Sequence, residues 1–586
     1  ADWNGGMTGG SAPTFASLGT DHGVAGADLL AYPAYGERVG GVHYEIVLPN
    51  TGQTIYAGRI GLKLETRYPR QSQPDNVISD PPPAAPPPPI SQQSPPPAPA
   101  PPPAPSPPPV QPLPSGNGAI AFGVPDFGSQ SVAVQVNDYF VSGYGRIQPG
   151  GGSTPSGTVV LEYRNNGILI SEAMVPDSPP VTAARVYAHV KSSGSISTAI
   201  VVGNPNSQET TVNFEIRSEH GDIYRMGSFV LTSATTACAA GTTCNNQLAR
   251  SLQEAPYYVE SDFQGTVTLS STAPVSIHAL RWSSTGGAPG DVLLTPLPVI
   301  DLSASPSGEM QVIPLFVVGD YRKVDLTLVN PTGTPLTGVL QFLDPWGSPA
   351  YIGYSGAYVW NVEYYIAPNG SQKLEFAGSP LGMAYGSVRV VPYGGAVTPV
   401  PYLIHNYQEF GLGVFEIGVP STLGRAFRLP AENAPQQTRT VAAIANAGNA
   451  GGTVWVSLTA SDGSQIASTS VYLPPAGQIL ESMDVMLPSI ANHTMEGVLR
   501  ITTDLPSISV AGLRARFNER GQLLYTTIVP VLENGNFGTG ERFLPYFAHG
   551  SGFSTNVILF SGPPGGTSGT LTLIQPDGAP LYLNGP

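Results

Sequence analysis

The sequence predicts an all-β protein built from tandem β-sandwich domains, and three observations lead to this prediction. First, Gly (69 residues) and Pro (62 residues) are abundant in a chain of 586 residues, and both disfavour long helices. Second, apolar and polar residues alternate in many short runs, which is typical of half-buried strands. Third, the same succession of runs and turns recurs along the chain. A chain of this length exceeds one hydrophobic core, so several domains are expected.

The front half of the repeating unit consists of two alternating strands joined by a short turn. In the best example, residues 324–328 (VDLTL) precede the turn Asn330-Pro331, and residues 339–342 (VLQF) follow it. Asn favours such a turn because it hydrogen-bonds its own backbone, and Pro favours it because its φ is fixed. Turns of this kind lie at residues 47–52, 202–205, 329–332, 445–448 and 560–563. The second strand then reaches a hairpin turn such as Asp462-Gly463.

The back half of the unit begins at a Pro-containing turn and ends in a strand that closes on Val-Pro or a similar pair. The turns lie at residues 125–130, 368–372 and 475–478. A Gly and an alternating strand follow, at Gly145, Gly265, Gly386 and Gly497. The unit spans about 110–125 residues with roughly seven strands, which is the size of an immunoglobulin-like sandwich. We therefore expect tandem immunoglobulin-like β-sandwich domains.

The alignment of these repeats divides the chain into six segments. They are a Gly-rich N-terminal segment (1–27), repeat 1 (28–180), repeat 2 (181–308), repeat 3 (309–422), repeat 4 (423–535) and a partial repeat 5 (536–586).

A proline-rich tract, residues 81–114 with 20 Pro in 34 positions, interrupts repeat 1. On the repeat register, the front half (42–68) and the back half (119–176) of repeat 1 pack as one sandwich. The tract is then an insertion that projects as a stiff polyproline II arm. The alternative is a plain linker between an N-terminal domain and the rest of the chain.

Partial repeat 5 stops shortly after its second strand, and half a sandwich cannot bury its core. Either the chain continues beyond Pro586, or the remainder was lost by proteolysis, or a strand of another molecule completes the fold. In the last case the exposed apolar strands are templates for pairing. The interface residues predicted for this strand complementation are Val557, Leu559, Leu571 and Leu573.

Composition and cysteine content predict the compartment and exclude several partners. The net charge is −15 and the chain has no basic run, which argues against nucleic acid. No apolar stretch is long enough to predict a transmembrane helix. The chain begins at Ala1, which we interpret as the result of signal-peptide removal. Cys238 and Cys244 predict a local disulfide, because two thiols without a nearby His make a poor zinc site. A disulfide in turn predicts a secreted or cell-surface protein.

No catalytic, cofactor-binding or metal-binding motif is predicted, so the sequence indicates that the protein is not an enzyme. The histidines are scattered, and His278 and His405 occupy the same repeat position, as strand residues do. The sequence contains neither a zinc-binding His-x-x-x-His pattern nor a phosphate-binding glycine loop. Paired carboxylates that the fold brings together remain the enzymatic alternative.

Aromatic residues crowd one region of repeat 3 and are candidates for an interface. They are Tyr351, Tyr354, Tyr358 and Trp360, with Tyr364 and Tyr365 nearby. Aromatic side chains anchor interfaces, stack on sugar rings or fill a sandwich core. All three interpretations are open at this point.

The repeated pattern resembles the tandem β-sandwich repeats of large secreted bacterial cell-surface proteins. The resemblance is best over residues 309–534 and weaker over 28–180 and 541–586. It implies an architectural or adhesive role outside the cell and carries no catalytic residues. We therefore predict a structural subunit of an extracellular filament, sheath or surface layer, whose main partner is itself. The alternative is an adhesin, or the stalk of a larger secreted protein that binds glycans or other surface proteins.

Overall fold

The computed structural model describes residues 119–135, 140–233, 244–409, 411–533, 538–561 and 565–581, and the backbone of three strands nearer the N-terminus. The chain divides into two compact units, Ala1–Pro103 and Ala104–Pro586. Almost all regular structure in the described residues is antiparallel strand, apart from a short helix α1 (Met483–Met486) and a 3₁₀ turn (Pro488–Ile490). The prediction of an all-β fold with sandwich domains is confirmed.

The first unit contains one three-stranded antiparallel sheet. Its strands are β1 (Gly26–Ala31), β2 (Glu37–Val47) and β3 (Thr54–Glu65), and β2 lies between the other two. The Pro-rich tract 81–114 and most of the Gly-rich segment 1–27 lie outside the described residues.

The second unit contains four sandwiches, which we number I to IV. Sandwich I is formed by β4 (Ala119–Val124), β5 (Ser129–Val134), β6 (Val141–Gly151), β7 (Ser156–Asn165), β8 (Ile168–Pro176), β37 (Arg542–His549), β38 (Phe553–Phe560) and β39 (Thr567–Ile574). Sandwich II is formed by β9 (Val181–Val190), β10 (Ile196–Gly203), β11 (Thr210–Ser218), β12 (Ile223–Leu231), β13 (Gln247–Ser251), β14 (Phe263–Ser284), β15 (Val292–Leu297) and β16 (Ile300–Asp301).

Sandwiches III and IV follow directly in the chain. Sandwich III is formed by β17 (Gln311–Val318), β18 (Arg322–Val329), β19 (Leu336–Leu343), β20 (Ile352–Tyr354), β21 (Ala357–Val359), β22 (Asn361–Ile366), β23 (Ser371–Ala377), β24 (Ala384–Pro392), β25 (Val400–Glu409) and β26 (Leu412–Pro420). Sandwich IV is formed by β27 (Leu423–Gly424), β28 (Ala426–Ala434), β29 (Thr438–Asn446), β30 (Gly452–Ala460), β31 (Gln465–Leu473), β32 (Gln478–Ser482), β33 (Met495–Thr503), β34 (Ile508–Phe517), β35 (Leu523–Ile528) and β36 (Val531–Leu532).

All four sandwiches share one strand order. In sandwich III, one sheet runs β17-β24-β19-β22 and the other β23-β18-β25-β26. Counted along the repeat, these are strands 1-6-3-4 and 5-2-7-8, and the same order holds in the other three sandwiches. The repeat therefore has eight principal strands, one more than the sequence pattern indicated. In sandwich II the single long strand β14 supplies both strand 6 and strand 7.

The strands of each sandwich face a common apolar core. The alternation is plainest in β22, whose side chains are in turn exposed and buried from Asn361 to Ile366. Alternation of this kind buries one face of the strand and leaves the other in solvent. The core of sandwich III is filled by Phe316, Phe342 and Phe376, whose rings pack edge-on or tilted.

Sandwich I is assembled from two distant parts of the chain, and this corrects the predicted domain boundaries. Residues 119–176 supply strands 4 to 8, and residues 542–574 supply strands 1 to 3. The prediction that 119–176 pack with 42–68 is therefore wrong, because residues 542–574 occupy the strand positions that the prediction gave to 42–68. Both 42–68 and 542–574 have the pattern of a front half, and local pattern does not distinguish them.

Candidate functional site

The four sandwiches contact one another through the same turn-to-turn hydrogen bond, and these contacts close a ring within the second unit. In each case the first residue of strand 5 donates its backbone N–H to a carbonyl oxygen in the turn that follows strand 3 of the preceding sandwich. The bonds are Ser371 to Glu219 (3.2 Å), Gln478 to Pro345 (2.9 Å), Ser129 to Ser461 (3.0 Å) and Gln247 to Pro576 (3.1 Å). They join II to III, III to IV, IV to I and I to II, so the ring has no free end.

A buried Asn shapes the turns that make these contacts in three of the sandwiches. Asn330 donates its side-chain amide to the carbonyl oxygens of Thr334 (2.7 Å) and Ala367 (2.9 Å), and its Oδ1 accepts the N–H of Thr332 (2.8 Å). Asn204 and Asn446 form equivalent bonds. One side chain thus ties the turn after strand 2 to the turn before strand 5. This is the physical reason for the repeated Asn at the end of strand 2.

The ring contacts leave no room for a side chain at certain turn glycines, which gives a test of the ring. Gly347 has φ +84°, and a Cβ there would lie 2.1 Å from the carbonyl oxygen of Pro475 in sandwich IV. Gly356 has a similar φ of +80° but open space around it. We expect Gly356→Ala to cost about 1 kcal/mol from backbone strain alone. We expect Gly347→Ala to cost about 2 kcal/mol more, because it also separates two sandwiches.

Urea unfolding of the two variants measures this difference. Both substitutions lie in sandwich III and demand the left-handed conformation, so Gly356→Ala is a matched control. Equal losses of stability in the two variants would contradict the turn-to-turn contact.

The last strands of the sandwiches, β8, β15, β26 and β35, pack around the centre of the ring. Strands β8 and β26 each pack against both β15 and β35. Between II and III, the Arg281 guanidinium pairs with the Glu416 carboxylate at 2.8 Å, and their side chains are only 4% and 2% exposed. Thr295 Oγ1 also donates to Glu416, at 2.8 Å. A buried carboxylate that is paired and hydrogen-bonded in this way has its desolvation compensated.

An equivalent ion pair lies on the opposite side of the ring, between IV and I. Arg514 binds the buried carboxylate of Glu172, and its Nε donates to Glu432 at 2.7 Å. Arg281 and Arg514 each follow a Leu in strand 7, and Glu172 and Glu416 each begin the sequence Glu-x-x-Val-Pro in strand 8. The ring therefore alternates between sandwiches that contribute Arg and sandwiches that contribute Glu.

A neutral histidine completes the polar contact at Arg281. Burial, with the Arg281 charge as the second cause, lowers the pKa of His189 to about 3. The imidazole is therefore uncharged at neutral pH, and its Nδ1 lies 2.9 Å from a guanidinium nitrogen of Arg281 as an acceptor. The network orients Arg281 toward Glu416.

The four residues predicted to complete the partial repeat with another molecule are already buried, which corrects that prediction. Val557, Leu559, Leu571 and Leu573 have no exposed surface and lie in the core of sandwich I. Strand β38 pairs with β5 and β7, and β39 pairs with β4 and β6. Strands from the same chain satisfy the edges that the sequence left unpaired.

The aromatic group of repeat 3 divides between core and surface. Tyr354 packs against the core with its ring 5.1 Å from that of Phe376, and Trp360 is half-buried. Tyr351 and Tyr358 are 50% and 57% exposed, so these two are available for contacts outside the chain. Of the predicted disulfide, only Cys244 lies within the described residues, and it is disulfide-bonded.

Sequence reasoning missed the two ion pairs at the ring centre, Arg281–Glu416 and Arg514–Glu172. Their sequence signals were present as Leu-Arg in strand 7 and Glu-x-x-Val-Pro in strand 8 of alternate repeats. The partners are 135 and 342 residues apart, so no local pattern joins them.

Among the described residues, no helix is long and apolar enough to cross a membrane. The same residues contain no cluster of three or more His, Cys, Asp or Glu side chains placed to hold a metal ion.

Comparisons with known proteins do not assign this chain to a family, so we classify it by its fold and by the contacts of the ring. No known family matches the chain, and no curated protein matches it significantly. Similar solved structures include particles of infectious bursal disease virus. They are the VP2 subviral particle (10% identity, 77% of this chain and 85% of that one, TM-score 0.11) and the T=1 particle (11%, 80% and 84%, TM-score 0.10). At such TM-scores the superposition carries no argument, and the second unit is best classed as a closed ring of four β-sandwiches.

Proposed function

We propose that this protein is a structural subunit of an extracellular or cell-surface assembly, and that the sandwich ring is its rigid building block. The observation that carries the proposal is the closure of the ring by the two ends of the second unit. Each sandwich is held by two neighbours, and two buried ion pairs lock the centre. Such a block has no free hinge between its domains. The low charge content, 11% of residues, weakens repulsion between packed copies.

Partial repeat 5 is completed by strands of its own chain, so it offers no site for another subunit. The subunits would instead associate through exposed strand edges and sandwich faces. Strand β12 is the best candidate edge. It ends its sheet, and its exposed side chains include Ile223, Tyr224, Met226 and Val230. An edge strand with unpaired backbone groups and apolar side chains is a template for pairing with another chain. The proposed partner is a second copy of this protein.

A second function, glycan binding by an adhesin, is favoured by one observation. Tyr365 and Tyr393 are exposed on sandwich III, and the Tyr393 hydroxyl donates to the Glu363 carboxylate at 3.1 Å. Exposed Tyr rings beside a carboxylate can stack on a sugar and bind its hydroxyl groups.

Electron microscopy of the native material and light scattering across a concentration series test the first proposal. We expect ordered polymers, and we expect Met226→Lys in β12 to reduce them strongly. Leu381→Lys is the matched control, because Leu381 is similarly exposed but lies in a loop. A monodisperse monomer at every concentration, with binding to a glycan array that Tyr365→Ala abolishes, would replace the structural function with the adhesive one.

A further inference from the structure

The interface between sandwiches III and IV contains a cavity of about 350 Å³. Its apolar wall comes from both sandwiches, with Val317 and Phe415 on one side and Val441 and Leu480 on the other.

The other interfaces of the ring are occupied differently. The Arg281–Glu416 pair lies between II and III, and an aromatic cluster with Trp282 and Phe553 lies between I and II. Between IV and I, the space beside Arg514 is about 110 Å³. The cavity between III and IV is therefore about three times as large as the space between IV and I.

An aromatic contact joins the two walls of this cavity. The rings of Phe415 and Tyr525 bridge the two sandwiches, with centroids 5.2 Å apart and an edge-to-face geometry. Protein interiors are close-packed, and a void deprives its lining atoms of dispersion contacts. An occupant would restore those contacts.

The polar part of the cavity lining carries more positive than negative charge. Arg322 and Arg439 both line it, against one carboxylate, Glu481. The Arg322 guanidinium lies 4.8 Å above the ring of Tyr407, which restrains it. Burial lowers the pKa of His405 to about 4, so this lining residue is neutral at neutral pH. The Glu481 carboxylate accepts the backbone N–H of Ser482 at 3.1 Å, which occupies one of its oxygens.

We propose that this cavity binds a small amphiphile with an aliphatic tail and a carboxylate head, such as a medium-chain fatty acid. The tail lies against Val317, Phe415, Val441 and Leu480, and the head binds Arg322 and Arg439. The volume lies within the range of small-molecule sites, which are mostly apolar with a few polar groups. A guanidinium binds a carboxylate through two parallel hydrogen bonds.

Isothermal titration of the full chain with decanoate, and separately with decanol, tests the head group. We expect saturable binding of one decanoate per chain, and binding of decanol weaker by about tenfold or more. The double variant Arg322→Gln/Arg439→Gln should weaken decanoate by about the same factor and leave decanol unchanged. Equal affinity for the two probes in the wild-type chain would overturn the head-group assignment.

A second pair of variants tests the location of the site. Val441→Phe fills the cavity and should abolish binding of both probes, while the urea midpoint stays the same or rises. Val485→Phe, at an exposed position in sandwich IV, is the matched control and should bind decanoate normally. Undiminished binding by Val441→Phe would overturn the proposal. No binding by the wild-type chain would also overturn it, and would mean that water fills the cavity.

Discussion

A chain that ends at Glu533 is expected to lose both sandwich I and the closure of the ring. The truncation removes β37, β38 and β39, which are three of the eight principal strands of sandwich I. Residues 119–176 would then expose core side chains such as Ile147 and Val159, which are fully buried in the intact chain. Five strands without the opposing part of each sheet cannot bury this surface. Amide hydrogen exchange should show protection over 119–176 falling nearly to that of an unfolded segment.

The control for this truncation is a permuted chain in which the two parts of sandwich I are covalently joined. Strand 4 of sandwich I is split between the two ends: Leu581 donates its N–H to Leu573, and Ala119 pairs with the adjacent Thr572. A chain that runs from residue 538 to Leu581, continues directly at Ala119 and ends at Glu533 therefore restores a continuous strand. It should fold with the exchange pattern of the intact second unit. Full protection of 119–176 in the truncated chain, or its loss in the permuted chain, would contradict the composite sandwich.

Substitution of either Arg281 or Glu416 by Met is expected to destabilise the protein by about 3–5 kcal/mol, because the remaining charge is left buried and unpaired. Both side chains are almost fully buried, and Glu416 also holds Thr295 and Ser283. The double substitution Arg281→Met/Glu416→Met removes both charges and should cost much less than the sum of the two single ones.

A double-mutant cycle measured by urea unfolding distinguishes this pair from a surface ion pair. Arg250 and Glu254 form the comparison, since their side chains are 53% and 58% exposed and lie 3.8 Å apart. Arg250→Met should change the free energy of unfolding by no more than about 0.5 kcal/mol. Additive losses at Arg281 and Glu416 would show that the two charges do not depend on each other, and the ion pair would then not lock the ring centre.

The order of strands and turns could be read from the sequence because its causes are local. Alternation between buried and exposed residues produces the strands, as in β22. The turn after strand 2 needs a side chain that bonds its own backbone, so Asn330 and Asn446 recur there. The apolar strands with Val557 and Leu571 were also recognised as half of a sandwich that requires completion.

What completes that half-sandwich was decided only by the tertiary structure. Residues 42–68 and 542–574 have the same local pattern, and only pairing across the chain shows that 119–176 belong with the second. The ion pair at the ring centre likewise depends on long-range contacts. Arg281 and Glu416 are 135 residues apart, and neither stands out in its own strand. The all-β class, the repeat and its turns could be predicted from the sequence, since these follow from neighbouring residues. The tertiary structure decided the closure of the ring, the burial of the interface residues and the ion pairs, because long-range burial selects among segments that are locally equivalent.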